Sequence, residues 1–185
     1  QWLPKMVPGE AVGAIAMTEP GAGSDLQAMR TSAVADGDDY ILNGSKTFIT
    51  NGQHADMVIV AAKTDPSAGA RGISLFLVDT SLEGFSVGRN LDKRGQHWGD
   101  TSELFFSDMR IPKSALLGEE GKGFAYLMQE LPRERLVIGA IGVAAARGAL
   151  DLTFSYVDER ELFGQKLKQL QNTRFRIAEM ETDYR

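Results

Sequence analysis

Tyr40-Ile41-Leu42-Asn43-Gly44-Ser45-Lys46-Thr47-Phe48-Ile49-Thr50 is the stretch on which the fold is decided. Aromatic and β-branched residues flank Asn-Gly, a dipeptide suited to the positive φ angles of a tight turn, so the stretch predicts a hairpin with arms 40–42 and 46–50. Working upstream, 12–17 is apolar and 31–35 follows the turn-rich 19–25. Downstream, 57–61, 73–78, 85–87 and 103–106 continue the series of short strands. No helical period interrupts them, which predicts a mainly antiparallel sandwich or flattened barrel. The pattern changes near Gly118. A short helix is expected over 121–131, with Pro132 in the first turn of a second helix that reaches about Arg160. That second helix is apolar on most faces, as expected of a helix buried in a bundle. Leu162-Phe163-Gly164 breaks it, and a last helix is expected from about Leu167. The fold class is α+β, divided into residues 1–117 and residues 118–185.

Composition narrows the function classes. A chain of 185 residues that is 43% hydrophobic and 24% charged has the profile of a globular protein able to bury a core. A net charge of −5 argues against a dedicated nucleic-acid binder. The absence of cysteine excludes disulfides and thiolate chemistry, and fits a reducing compartment. Asn43-Gly44-Ser45 is accordingly read as turn chemistry rather than a glycan acceptor. No apolar run is expected to reach bilayer length, so no transmembrane segment is expected, and no signal or transit peptide is visible. Both ends read as cuts. His54 and His97 are isolated, so no metal site is expected. No nucleophile elbow of the Gly-x-Ser-x-Gly type occurs.

Chemistry concentrates in Thr18-Glu19-Pro20-Gly21-Ala22-Gly23-Ser24-Asp25. Pro20-Gly21 favours a tight turn, Gly21 and Gly23 let a ligand approach bare backbone, and clustered N–H groups make an anion-binding concavity. The same composition also suits a plain polar turn between strands. A dinucleotide fingerprint is excluded, since no βαβ unit surrounds Gly21-Ala22-Gly23.

These eight residues closely resemble the flavin-binding signature of the acyl-CoA dehydrogenase family. The resemblance continues through Asn43–Gly52, Asp100-Thr101-Ser102-Glu103-Leu104, Arg110-Ile111-Pro112, Leu117-Gly118-Glu119-Glu120-Gly121-Lys122-Gly123-Phe124 and Glu159-Arg160-Glu161-Leu162-Phe163-Gly164. It covers essentially the whole chain, in order. It implies that residues 1–117 are the flavin-binding β-domain and residues 118–185 the first helices of an up-down helical bundle. It further implies that Met17 and Thr18 contact the ring of FAD, and that Gly23 and Ser24 approach its pyrophosphate. Phe48 would lie against the ring, where relatives often carry Trp, and Thr50 would bond near its N5. Phe48 also reads as a core aromatic on a strand, which is compatible with that contact. Arg160, Phe163 and Gln171 match positions that reach the FAD of a neighbouring subunit, a task a guanidinium suits.

Glu130-Leu131-Pro132-Arg133-Glu134-Arg135-Leu136 resembles the long-chain branch of that family and points to Glu134 as the base that removes the substrate α-proton. Such a base needs a dry apolar pocket that raises its pKa toward neutrality. From spacing alone, Glu134 reads rather as an exposed first-turn residue favoured by the helix dipole, and the resemblance reverses that reading. Arg135 matches a position on the CoA path, as does Ser24, or is a surface charge. The resemblance implies α,β-dehydrogenation of a fatty acyl-CoA to a trans-2-enoyl-CoA, as in β-oxidation, with the β-hydrogen leaving as hydride to the flavin. It implies electron-transfer flavoprotein as oxidant, a homotetramer, and a bacterial cytoplasmic or mitochondrial matrix location. An acyl-CoA oxidase, or a non-catalytic flavin-binding scaffold, are the alternatives.

Overall fold

In the computed structural model, which describes residues 2–185, a one-turn helix α1 (Leu3–Met6) precedes seven strands. These are β1 (Gly13–Ala16), β2 (Ser32–Asp36), β3 (Asp39–Thr50), β4 (Met57–Lys63), β5 (Ile73–Asp79), β6 (Phe85–Asn90) and β7 (Thr101–Pro112). A long helix α2 (Gly123–Glu159), a small hairpin of β8 (Glu161–Leu162) and β9 (Gln165–Lys166), and α3 (Gln171–Tyr184) complete the chain. The fold class is α+β, as the sequence predicts. Two units separate between Leu127 and Met128.

In the first unit all seven strands share one curled, mixed sheet. Antiparallel β2–β3, β3–β7 and β7–β6 pairings form one block, and β5 runs antiparallel to β4 in the other. β1 lies parallel to β4, and the blocks join where Ser32 pairs in parallel with Lys63. Curling brings the apolar sides together. Val58, Val60, Phe76 and Val78 pack with Tyr40, Leu42, Leu104, Met109 and Ile111, all nearly solvent-free. Each such side chain contributes about 1.5–3 kcal/mol by leaving water.

Asn43-Gly44 does not turn the chain; the expected hairpin is one continuous strand, β3. The hairpin lies one element earlier, at Gly37-Asp38 between β2 and β3, where Gly37 (φ 63°) supplies the positive φ. Asn43 instead pins a bulge in β7. Its amide donates to Asp108 Oδ1 at 3.0 Å and its carbonyl accepts the Asp108 N–H at 2.8 Å, while Asp108 holds φ 45°. Gly44 is required by a close approach, because a Cβ there would stand 2.4 Å from Thr31 Oγ1. The Asn-Gly signal thus serves a bulge and a strand crossing.

A second bulge sits in β3 itself. Lys46 pairs with Leu104 but Ile49 with Ser102, leaving one extra residue on β3, and Phe48 there adopts φ 59°. The buried set therefore changes phase. Tyr40, Leu42 and Lys46 face inward, then Thr47 and Ile49 do, and Phe48 and Thr50 face solvent.

In the second unit, the expected break at Pro132 is absent: α2 runs through it. Pro132 forfeits one ladder hydrogen bond, about 3 kcal/mol in a helix interior. The strong helix formers around it, Leu131, Arg133, Glu134, Arg135 and Leu136, keep the helix continuous. Residues 132–146 are exposed along their whole length, Leu136 by 74% and Ile138 by 68%, so the expectation of a buried bundle helix does not hold within this chain. α2 also holds an 18-residue window of mean hydropathy 1.5, long and apolar enough to cross a membrane by length and composition. That corrects the expectation that no run approaches such a length; the leucines, isoleucines, valines and alanines of α2 outweigh its interspersed glycines. α2 and α3 are tied by Arg147, which bonds Asp151 and Glu181 and lies over the rings of Phe154 and Tyr184.

Candidate functional site

The Gly-rich loop leaves β1 after Ala16 and crosses to β3. Thr18 takes an N–H bond from Thr47 at 2.9 Å on its carbonyl and donates its own hydroxyl to the Thr47 carbonyl at 2.5 Å. These two bonds set Met17 and Thr18 beside the Phe48 bulge. Glu19 and Ala22 exchange backbone bonds, closing Pro20-Gly21 as a tight turn. Gly21, Gly23, Ser24 and Asp25 are exposed, and nothing stands within 4 Å of a Cβ built on Gly21 or Gly23. The loop presents open backbone to solvent.

Phe48 shows 68% of its surface. A bulky residue in the left-handed region costs about 1–2 kcal/mol, and such cost is retained where the surroundings dictate it. Here the bulge turns an aromatic face outward next to Thr18, with Thr50 two residues further on the same side. Phe48 is therefore not a core aromatic within this chain. Beneath the site lie two residues that the sequence reading left without a role. Lys46, fully buried, donates to the Met17 carbonyl at 3.0 Å and to Glu19 Oε1 at 2.9 Å. The Glu19 carboxylate also accepts N–H bonds from Arg30 at 2.6 Å and Thr31 at 3.0 Å. Burial pushes the Glu19 pKa up, but hydrogen bonding from Thr31, Arg30 and Lys46 outweighs it and holds the carboxyl below its ordinary range. Burial lowers the Lys46 pKa, with Glu19 opposing. A signal for Lys46 was present in the sequence: it continues the alternation of Tyr40 and Leu42, at an inward position where only a paired lysine can sit.

In the second unit, Arg160 follows the end of α2 and its carbonyl accepts the Leu167 N–H at 2.7 Å. Phe163 and Gly164 form the two-residue turn of the β8–β9 hairpin, with φ 53° and 74°. Both positive angles suit a type I′ turn, whose first position normally holds Asn, Asp or Gly. Phe163 is nevertheless there, 92% exposed. Gln171 opens α3. Arg160, Phe163 and Gln171 thus all lie on the short connection between α2 and α3 or at its edges. Glu134 and Arg135 do not join them: both are exposed on α2, and Glu134 lies about 39 Å along the helix from Arg160 at 1.5 Å per residue.

An aromatic turned outward beside an open Gly-rich loop, on a curled mixed sheet, is a surface that suits a planar ligand ring. The family model for the acyl-CoA dehydrogenase middle domain matches residues 14–109, and that for the acyl-CoA dehydrogenase C-terminal domain matches residues 121–185. The chain belongs to the acyl-CoA dehydrogenase family. It is 54% identical over 183 residues to the mitochondrial long-chain specific acyl-CoA dehydrogenase of Sus scrofa, covering 98% of this chain and 43% of that protein. It is 49% identical over 170 residues to the cyclohex-1-ene-1-carbonyl-CoA dehydrogenase of Syntrophus aciditrophicus (strain SB), covering 92% and 41%. Among solved structures it matches an acyl-CoA dehydrogenase from Geobacillus kaustophilus with a TM-score of 0.96 and 55% identity, over 99% of this chain and 49% of that one. The chain spans less than half the length of these relatives.

Proposed function

We propose that this chain carries the flavin-holding part of an acyl-CoA dehydrogenase that converts fatty acyl-CoA to trans-2-enoyl-CoA. Its residues 1–117 act as the flavin-binding domain and residues 118–185 as the opening helices of the bundle. The observation that carries the reading is the Phe48 bulge, an exposed aromatic held at φ 59° beside Thr18. Phe48, Met17, Thr18 and Thr50 fit one edge and face of a flavin ring, and the open backbone of Gly23 and Ser24 fits its pyrophosphate. FAD, when bound, would supply the two-electron acceptor that no side chain can provide.

Glu134 takes the α-proton in this reading. Exposed on α2 in this chain, it acquires the dry surroundings a carbon-acid base needs once an acyl chain covers it. Arg135 and Ser24 steer the CoA portion, where a guanidinium and a hydroxyl suit its phosphates and amides. Arg160, Phe163 and Gln171 sit too far along α2 from Glu134 to serve the same ring, which supports their serving the FAD of a neighbouring subunit in a homotetramer. Electron-transfer flavoprotein as oxidant and a bacterial cytoplasmic or mitochondrial matrix setting accompany the family resemblance.

The test is anaerobic addition of palmitoyl-CoA to the intact, FAD-loaded protein while flavin absorption is followed. Rapid bleaching in the parent protein, lost in Glu134→Gln, is the expected result. A flavin that stays oxidised with every straight-chain acyl-CoA tried would overturn it.

A further inference from the structure

Lys46 is buried without exposure in the middle of β3, with Glu19 as its counter-charge. Replacing a buried ion pair by apolar groups of similar volume is commonly neutral or stabilising, so the fold alone gives little reason for this pair. Its geometry offers another. The ammonium grips the Met17 carbonyl at 3.0 Å as well as Glu19 at 2.9 Å, and Glu19 in turn holds the N–H groups of Arg30 and Thr31. One pair therefore ties together the end of β1, the Gly-rich loop, the lead-in to β2 and the residue two before Phe48.

The Met17–Thr18 peptide is trans. In a trans peptide the C=O and N–H point in opposite directions. With the Met17 carbonyl aimed at the buried ammonium, the Thr18 N–H is aimed away from it. Among the described residues that N–H makes no hydrogen bond. A positive charge on the carbonyl end of a peptide strengthens the donor at its other end, and does so most where the local dielectric is low.

We propose that Lys46 and Glu19 are positioning residues of the flavin site, with Lys46 acting through the Met17–Thr18 peptide to hold and polarise the Thr18 N–H toward the ring. The inference rests on the reading of this loop as the flavin site. Its electrical consequence is specific. A reduced flavin carries more negative charge than an oxidised one, so a stronger donor at its edge favours reduction and raises the potential. Glu19 limits the effect by partly neutralising the ammonium, and anchors it so that the grip on Met17 does not wander.

The experiment compares the intact FAD-loaded protein with Lys46→Met and with the double variant Glu19→Gln, Lys46→Met, which removes the charged pair and keeps one amide oxygen as acceptor for the Arg30 or the Thr31 N–H. Flavin affinity, visible circular dichroism and the reduction potential are measured for each. Both variants are expected to hold flavin about tenfold more weakly, the loss of one charge-assisted grip. Both should show a potential below the parent's and an altered visible band. Folded variants that bind flavin with the parent's potential and spectrum overturn the proposal. So does failure of the double variant to fold, since the pair then serves the fold itself. A parent protein that binds no flavin overturns instead the reading on which the inference rests.

Discussion

Phe48 keeps a costly backbone conformation and a largely exposed ring at once, a combination that folding by itself does not favour. Phe48→Gly is therefore expected to stabilise the protein by about 1 kcal/mol in urea denaturation, by relieving the left-handed strain. Flavin retention should fall in the same variant, and a loss of stability would show that the ring packs where the structure leaves it open. Glu19 makes a second prediction, with its sign fixed by its lowered pKa. A carboxyl held below its ordinary 4.5 contributes stability that is fully present above that pH and is lost as pH falls through the lowered value. Glu19→Gln should thus cost roughly 2 kcal/mol near neutrality. Its denaturation midpoint should approach the parent's only on acidification below that range. The residue types of both positions were plain in the sequence, and the resemblance already implied a ligand contact for the aromatic at Phe48. Which face it occupies was not legible, because the bulge that turns it outward is set by pairing with β7, more than fifty residues away. Lys46 was passed over for a related reason: its partner Glu19 comes near only after β1, the loop and β3 have assembled.

At the scale of elements, strand content was easy to read and connectivity was not. Each apolar run of the first 112 residues became a strand, yet the Asn-Gly signal was taken for a turn when its two residues answer two tertiary demands. Asn43 satisfies the backbone of Asp108, and Gly44 admits Thr31. No local pattern distinguishes those uses from a hairpin. Gly44→Ala tests the second: a methyl group 2.7 Å from the Thr31 Cα, at φ 149°, should cost about 3 kcal/mol of stability with the sheet topology retained. A near-neutral change in thermal unfolding would mean that β2 can shift aside. α2 shows the opposite failure. Its apolar character was legible, but Pro132 was given the power to end a helix that flanking helix formers sustain. Its burial was inferred from composition, although residues 132–146 are exposed among the described residues.

For the molecule as a whole, the family and the placement of the loop motifs were legible because they rest on short stretches whose chemistry is local. The parallel β1–β4 pairing and the bare exterior of α2 depend on long-range assembly and were not. In the function proposed for it, α2 serves more than one chain. The same unbroken rod bears Glu134 near its start and ends just before Arg160. If each flavin draws its base from one protomer and its phosphate grip from the next, a damaged protomer can be rescued by a differently damaged neighbour. Glu134→Gln and Arg160→Ala proteins, each inactive by itself, should regain activity when dissociated and reassembled together, reaching about a quarter of the parent's in a random mixture. Complementation of this kind, detectable with two defective alleles in one cell, would be the genetic signature of a helix that works for two sites.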